Sequence, residues 1–454
     1  MVRIGVIGAG SIAWSSTLVR DLCLFPKLWG STVVLMDKDE GRLNLIYRFA
    51  RRYASELNAD LKFEKTQNMK EAIRDSDFVI NTAMACGHAY YEKMREISEK
   101  HGYYRGINSV EWNMVSDYHT IWGYYQLKLM LEVAREIEDL NPEAWLLLLA
   151  NPVFEGTTLI SRETRCKVIG LCHGHLGFLK TMQVLEIDPA EAEFEAIGFN
   201  HLIWLTKFRY KGEDAYPLLD EWVEKRAQEY WERWRREQED PFDVEMSPAA
   251  VDMYRTYGLF PVGDTVRNGT WKYHWDLETK KKWYGPFGGP DSEVGWKIYL
   301  WEHEQWLNRC TEAIQSEAPL TELLPPQMSR ESIVPLMNSI ANDEPGIYQV
   351  NIPNLGTIPG IPDNVAVEVP AKVDGRGVHR IPVGGLPDAV LKLALHPRMM
   401  RMEWALEAFL KGGRDCLSNW LLSDPRTRSP KQAEETIDDL LAIPENQEMA
   451  RHFG

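Results

Sequence analysis

The chain has 454 residues, 44% hydrophobic and 26% charged, which is enough apolar material for a full globular core. Its formal net charge is -16, and no basic tract or basic-aromatic stripe offsets it, which argues against nucleic acid and anionic membranes as partners. The six cysteines lack the spacing of a disulfide framework or zinc ribbon, and no apolar leader precedes the first strand, so the expectation is a cytoplasmic protein.

From residue 1 to about 150, short β-rich runs at 4–7, 32–36, 78–82 and 145–150 alternate with amphipathic helical stretches at 41–57 and 121–138. This alternation predicts parallel strands with helices on both faces. The run at 144–150 is the strongest apolar stretch and is far too short to cross a bilayer. After Cys172 the texture changes. Residues 193–199 and 202–210 read as an antiparallel pair around Asn200-His201, followed by a long charged helix near 218–239. Strands are expected at 348–352 and 365–369, and helices at 388–395 and 398–411. The expected fold class is α/β: a Rossmann-like doubly wound parallel sheet over residues 1–190 with an intertwined α+β second lobe over 191–454, as in lactate and malate dehydrogenases. No repeat or low-complexity linker separates the lobes, which predicts a shared core.

The first strand leads into Gly8-Ala9-Gly10-Ser11-Ile12, and a helix follows, expected at 15–24. The first glycine permits a tight turn, and the second lets the backbone approach a pyrophosphate. The helix N-terminus then offers amide donors to the phosphates. The second strand ends in Asp37, whose carboxylate suits ribose hydroxyls and repels a 2′-phosphate, so NAD is expected rather than NADP. Asn81, at the end of another strand, is placed near the nicotinamide; a strand-end cap is its plainer role.

A second constellation lies at the ends of later strands. Asn151-Pro152 closes one, Cys172-His173-Gly174-His175 follows the strand at 167–171, and Asn200-His201 lies beyond. Ligands bind beyond the carboxyl ends of such strands. A thiolate and an imidazole can hold a divalent cation with positions left open for substrate oxygens. Taken singly, Cys172 also reads as a buried hydrophobe and His201 as a packed residue. Asp117 also reads as a helix N-cap and Asp264 as a turn residue. Most of the tryptophans concentrated between 204 and 306 read as core.

These segments, in this order, resemble glycoside hydrolase family 4, the NAD- and Mn-dependent glycosidases, and within it the bacterial α-glucosidase branch. Residues 102–107, 114–118, 151–159, 276–285 and 367–370 carry the resemblance, which runs almost end to end. It implies hydrolysis through transient oxidation. NAD takes hydride from C3 of the sugar, a base removes the C2 proton, and the metal stabilises the enolate. The C1 oxygen then leaves, water adds, and NADH reduces C3 again. By resemblance Cys172 and His201 ligate Mn²⁺, Asn151 meets sugar hydroxyls and cofactor, and Asp264 is the C2 base. Asp117 is the candidate proton donor, with His173 and His175 as rivals, and Arg267 either binds a C6 carboxylate or supports its loop. The second lobe would then carry substrate and metal. An α-glucuronidase or α-galacturonidase is the alternative activity; a 2-hydroxy acid dehydrogenase and a non-catalytic NAD sensor are the rivals from other classes. A homodimer or homotetramer is expected from family habit.

Overall fold

The computed structural model describes residues 1–107, 123–268 and 270–454. A mixed sheet of 13 strands forms its frame. Strands β1 (Arg3–Ile7), β2 (Thr32–Met36), β3 (Lys62–Thr66), β4 (Phe78–Asn81), β5 (Trp145–Leu148) and β6 (Lys167–Gly170) make the parallel half. They lie in the order β6-β5-β4-β1-β2-β3. The order reverses between β1 and β4, and the carboxyl ends there are where such a sheet takes a ligand. Val6, Val79, Ile80, Leu146 and Leu147 are fully buried, the continuous apolar runs of strands covered on both faces. The pattern misses β3, in which Phe63 is buried while Lys62 and Lys65 are exposed. An edge strand needs one anchoring contact, not an apolar run.

The antiparallel half comprises β7 (Ala192–Phe199), β8 (Leu202–Tyr210), β9 (Glu213–Asp214), β10 (Pro261–Val262), β11 (Gly346–Pro353), β12 (Ala366–Asp374) and β13 (Gly377–Arg380). The pair β7-β8 turns at Asn200-His201, as its alternation predicts. Strand β11 pairs with β6 through Asn351 and Gly170, and β12 with β7 through Glu368 and Gly198. The two lobes therefore share one sheet, and their buried side chains form one core.

The long charged helix expected at 218–239 is two helices, Tyr216–Lys225 and Ala227–Glu237, broken at Arg226. At about 100° per residue, a straight helix would point Leu219 and Trp222 roughly a quarter-turn away from Ala227 and Trp234. All four are buried, and the break brings both pairs onto the core. At the C-terminus, helix His396–Lys411 returns to the first lobe, where Arg398 meets Glu155 of helix Val153–Glu163 at 2.7 Å, both buried. Among the described residues no helix is long and apolar enough to cross a membrane, and the six cysteines are free thiols.

Replacing Arg398 by Met should cost about 3–5 kcal/mol of stability, because it breaks a buried ion pair by removing one side of it. Urea unfolding of Arg398→Met measures this. A loss below about 1 kcal/mol would mean the pair behaves like a solvated one.

Candidate active site

The dinucleotide turn is built by close approach. Gly8 has φ of 85°, and a Cβ there would lie 2.5 Å from the Cα of Ala83, so only glycine fits. A Cβ on Gly10 would meet Asp37 Oδ2 at 2.6 Å, because the Gly10 amide donates to that oxygen at 2.8 Å. Patterning assigns the second glycine to a pyrophosphate; the structure adds a nearer cause in Asp37. The following helix, Ile12–Cys23, opens three residues earlier than expected. Ser11 makes no side-chain cap and no acid stands in the first turn, so the first amides keep their partial positive charge for an anion. Asn81 is fully buried, with Oδ1 accepting from the Ala83 amide at 3.1 Å. Its Nδ2, and the buried Oδ1 of Asn151, have no partner among the described residues. Asn81 ends β4 and Asn151 lies three residues beyond β5, which stops at Leu148 rather than running to 150 as expected; orphaned polar atoms there are what a bound ligand satisfies.

The second constellation closes around three side chains. His201 Nε2 lies 3.5 Å from Cys172 Sγ and 3.3 Å from Asp264 Oδ2, and one ligand atom from each lies within 4.8 Å of the others. Ligands held about 2.0–2.3 Å from a shared ion stand at such separations. The backbone is specialised to make this fit. His201 adopts a left-handed conformation with φ of 59°, held by Asn268 Nδ2 donating to its carbonyl at 2.6 Å. Gly263 has φ of 56°, and a Cβ there would overlap the Gly174 carbonyl at 1.9 Å. The Asp264 loop therefore sits directly on the Cys172–His175 turn. Thr265 Oγ1 accepts from the Ile203 amide at 2.7 Å and donates to the Ile203 carbonyl at 3.0 Å, which fastens the loop to β8.

Asp264 is half-buried. Burial opposes its charge, but the Arg267 guanidinium and His201 outweigh it and hold the carboxyl well below the usual carboxylate range. Arg267 is itself engaged twice, through Nη2 to Asp264 at 2.5 Å and Nη1 to the buried Asp291 at 2.6 Å. His173 and His175 part company. The hydrogen bond from His173 Nδ1 to Glu331 Oε1, 2.8 Å, pushes that exposed imidazole up to about 9. Burial pushes His175 down to about 4. At neutral pH the first carries a proton to give and the second does not. Asp117 lies outside the described residues.

Several neighbours escaped the sequence reading. Asp291 steadies Arg267, and Glu331 steadies His173. Glu245 Oε1 lies beside Gly177 where that glycine meets Gly263, and burial pushes its carboxyl up to about 7. Glu368 is buried and accepts from Asn200 Nδ2 at 2.9 Å. Each stands far in sequence from the motif it serves, so spacing gives no signal; for Glu368 a lone acid in the apolar run 365–369 was the available hint.

The sequence matches two family descriptions in succession, Family 4 glycosyl hydrolase over residues 3–187 and Family 4 glycosyl hydrolase C-terminal domain over residues 196–427. An α-galacturonidase of Thermoanaerobacter italicus is 25% identical over 443 residues, covering 94% of this chain and 92% of its own. An α-glucosidase of Erwinia rhapontici is 23% identical, covering 97% of each. Among solved structures, a 6-phospho-α-glucosidase from gut microorganisms, in complex with NAD and Mn²⁺, superposes with a TM-score of 0.73 at 18% identity and covers 98% of each chain.

If the three side chains form a metal site, Mn²⁺ should raise the melting temperature by preferential binding to the folded state. Cys172→Ala and His201→Ala should each lose most of that rise. An undiminished rise in both variants would put the ion elsewhere.

Proposed function

The chain belongs to family 4 of the glycosyl hydrolases, and on that premise we propose that it cleaves α-glycosides, α-glucosides in the first instance, by transient oxidation of the sugar with NAD and Mn²⁺ as cofactors. One observation carries this reading. The dinucleotide turn follows the carboxyl end of β1, and Cys172 follows the carboxyl end of β6 in the same parallel half-sheet, where His201 and Asp264 join it from the antiparallel half. A plain glycosidase has no use for the turn, and a plain dehydrogenase rarely needs the cluster. The solved relative that carries both NAD and Mn²⁺ supports the pairing. The six free thiols suit a reducing compartment, and the cytoplasm is the proposed location.

The residues fit both groups. Gly8, Gly10, Ser11 and Ile12 would cradle the pyrophosphate, Asp37 would take the ribose, and the orphaned Asn81 Nδ2 and Asn151 Oδ1 would meet the nicotinamide and the sugar. Cys172 and His201 supply the soft donors of a divalent ion. When bound, the two groups supply reversible hydride acceptance and Lewis-acid polarisation of sugar oxygens. Asp264, kept ionised and aimed by Arg267, accepts the proton from C2. Among the described residues His173 is the donor candidate for the leaving oxygen, since Glu331 holds its ring in place. Asp117 remains the alternative donor. Arg267 acts through Asp264, because both its terminal nitrogens are occupied by carboxylates. The same chemistry on an α-galacturonide is the second reading, favoured by the relative of that name.

The test is hydrolysis of p-nitrophenyl α-glycosides with and without NAD, Mn²⁺ and a thiol reductant. Cleavage should require both cofactors and leave no stoichiometric NADH. Asp264→Asn should lower kcat by about 10²–10⁴-fold and suppress exchange of the C2 proton with solvent deuterium. Net NADH release would instead identify a dehydrogenase.

A further inference from the structure

The loop that carries Asp264 and Arg267 touches a buried polar cluster made by His274, Lys280, Tyr284 and Asp291, none of which is appreciably exposed. A lysine is almost never fully buried unless paired, yet Lys280, on helix Leu277–Tyr284, has no carboxylate in direct contact among the described residues. Its contact is an imidazole: the amine donates to His274 Nδ1 at 3.1 Å. Burial, and after it the charge of Lys280, holds that histidine well below its ordinary pKa, so Nδ1 accepts and Nε2 carries the hydrogen. Nε2 lies 3.4 Å from the Tyr284 hydroxyl, which donates to the Val266 carbonyl at 3.0 Å. A directed chain of hydrogen bonds therefore runs from Lys280 into the loop, next to Arg267.

The charge of Lys280 reaches the same loop by a second route. Arg267 is shared between Asp264 and Asp291, two carboxylates against one guanidinium. Among the charges acting on the Lys280 amine, Asp291 is the strongest and favours the ammonium, as Glu293 does; Arg105 and Arg267 oppose it. Arg105 is paired with Glu99 at 3.6 Å, and Glu293 accepts from the Tyr104 hydroxyl at 2.5 Å. Lys280 is thus a second cation for Asp291. Burial outweighs the attraction and pushes the amine down to about 8, so the charge is kept there at a cost in stability.

We propose that Lys280 is a positioning residue for the reaction: its ammonium balances Asp291, so that Arg267 stays directed at Asp264 and aims the C2 base. This rests on the glycosidase reading, in which Asp264 takes the proton. Without that ammonium, Asp291 draws more strongly on Arg267 and Asp264 loses its aim. Raising the pH removes the charge but leaves an amine that still donates to His274, so pH separates the electrostatic route from the hydrogen-bonded one. The same titration marks stability. The folded-state pKa lies below the ordinary 10.5, so stability from this group is lowest below pH 8 and rises as pH climbs towards that ordinary value.

The test compares the NAD- and Mn²⁺-loaded wild type with Lys280→Met and Lys280→Arg between about pH 7 and pH 10. The substrate is whichever of p-nitrophenyl α-glucoside and α-galacturonide the wild type cleaves faster. Wild-type kcat should fall as pH rises through about 8. Lys280→Met should lose about ten- to a hundredfold in kcat at neutral pH, keep KM within about twofold, and lack that fall. Lys280→Arg, which holds its proton throughout, should recover part of kcat and lack the fall as well. Melting temperatures give a readout that needs no turnover: the difference between wild type and Lys280→Met should move in favour of the wild type as pH rises from about 7 to about 10. An unchanged kcat in Lys280→Met, the same alkaline fall in all three proteins, or a melting difference that ignores pH would overturn the assignment while leaving cleavage, and with it the glycosidase reading, intact. If the wild type cleaves no glycoside with both cofactors present, the glycosidase reading fails and takes the positioning role with it, whatever the melting difference does.

Discussion

The site depends on the seam where the parallel and antiparallel halves of the sheet meet, and a buried carboxylate sits on that seam. Glu368, on β12, accepts from Asn200 at 2.9 Å and from Asn351 at 3.4 Å, while Gln349 reaches its other oxygen at 3.5 Å. Asn351 also donates to the Gly170 carbonyl on β6 at 3.4 Å. One acid thus gathers the strand that leads to Cys172 and the turn that presents His201. Burial pushes its carboxyl up, and the surrounding amides offset the cost of burying it. Without such a tie the two proposed ligands, 29 residues apart in sequence, would ride on separate half-sheets.

Around this seam, the backbone adopts unfavoured conformations where side chains must converge. His201 and Gly263 both have positive φ, at 59° and 56°. A non-glycine residue in the left-handed region persists only when its surroundings over-determine it, and here Asn268 and Thr265 do so from a single loop. The loop contributes Asp264 as well. The segment 263–268 therefore acts as one unit: a glycine to approach the Cys172 turn, an acid for the cluster, a threonine and an asparagine to grip the hairpin, and an arginine to aim the acid.

Much of the fold was legible because its signals are local. The glycine turn after β1, Asp37 at the end of β2, the buried apolar strands and the hairpin at Asn200-His201 each depend on a few consecutive residues. What was not legible depends on long-range packing. Nothing in Lys62–Thr66 signals a strand until β2 offers an edge. The break at Arg226 follows from where two tryptophans must be buried, not from a helix-breaking residue. In the site, Cys172, His201 and Asp264 stood out by motif and family resemblance. Asp291, Glu331 and Glu368 did not, because a supporting acid is defined only by what it touches.

Of these supports, Glu331 bears on the reaction itself. A mechanism that passes hydride between a dinucleotide and a metal-held sugar needs the two binding elements in fixed register, since small displacements of reacting groups cost large factors in rate. In this fold the elements grow from different strands, β1 and β6, three places apart in the sheet order. Parallel pairing sets their spacing only at the strand ends. The connection from Asp21 through Ser329 and Glu331 to His173 supplies a second link. It runs from the helix behind the glycine turn to the residue next to Cys172. Asp21 is buried, so the Asp21 end of this brace is shielded from the solvent competition that weakens surface hydrogen bonds, while its His173 end is exposed. Strand pairing and this side-chain brace together fix the helix behind the glycine turn relative to the Cys172 turn, the register that the proposed mechanism requires.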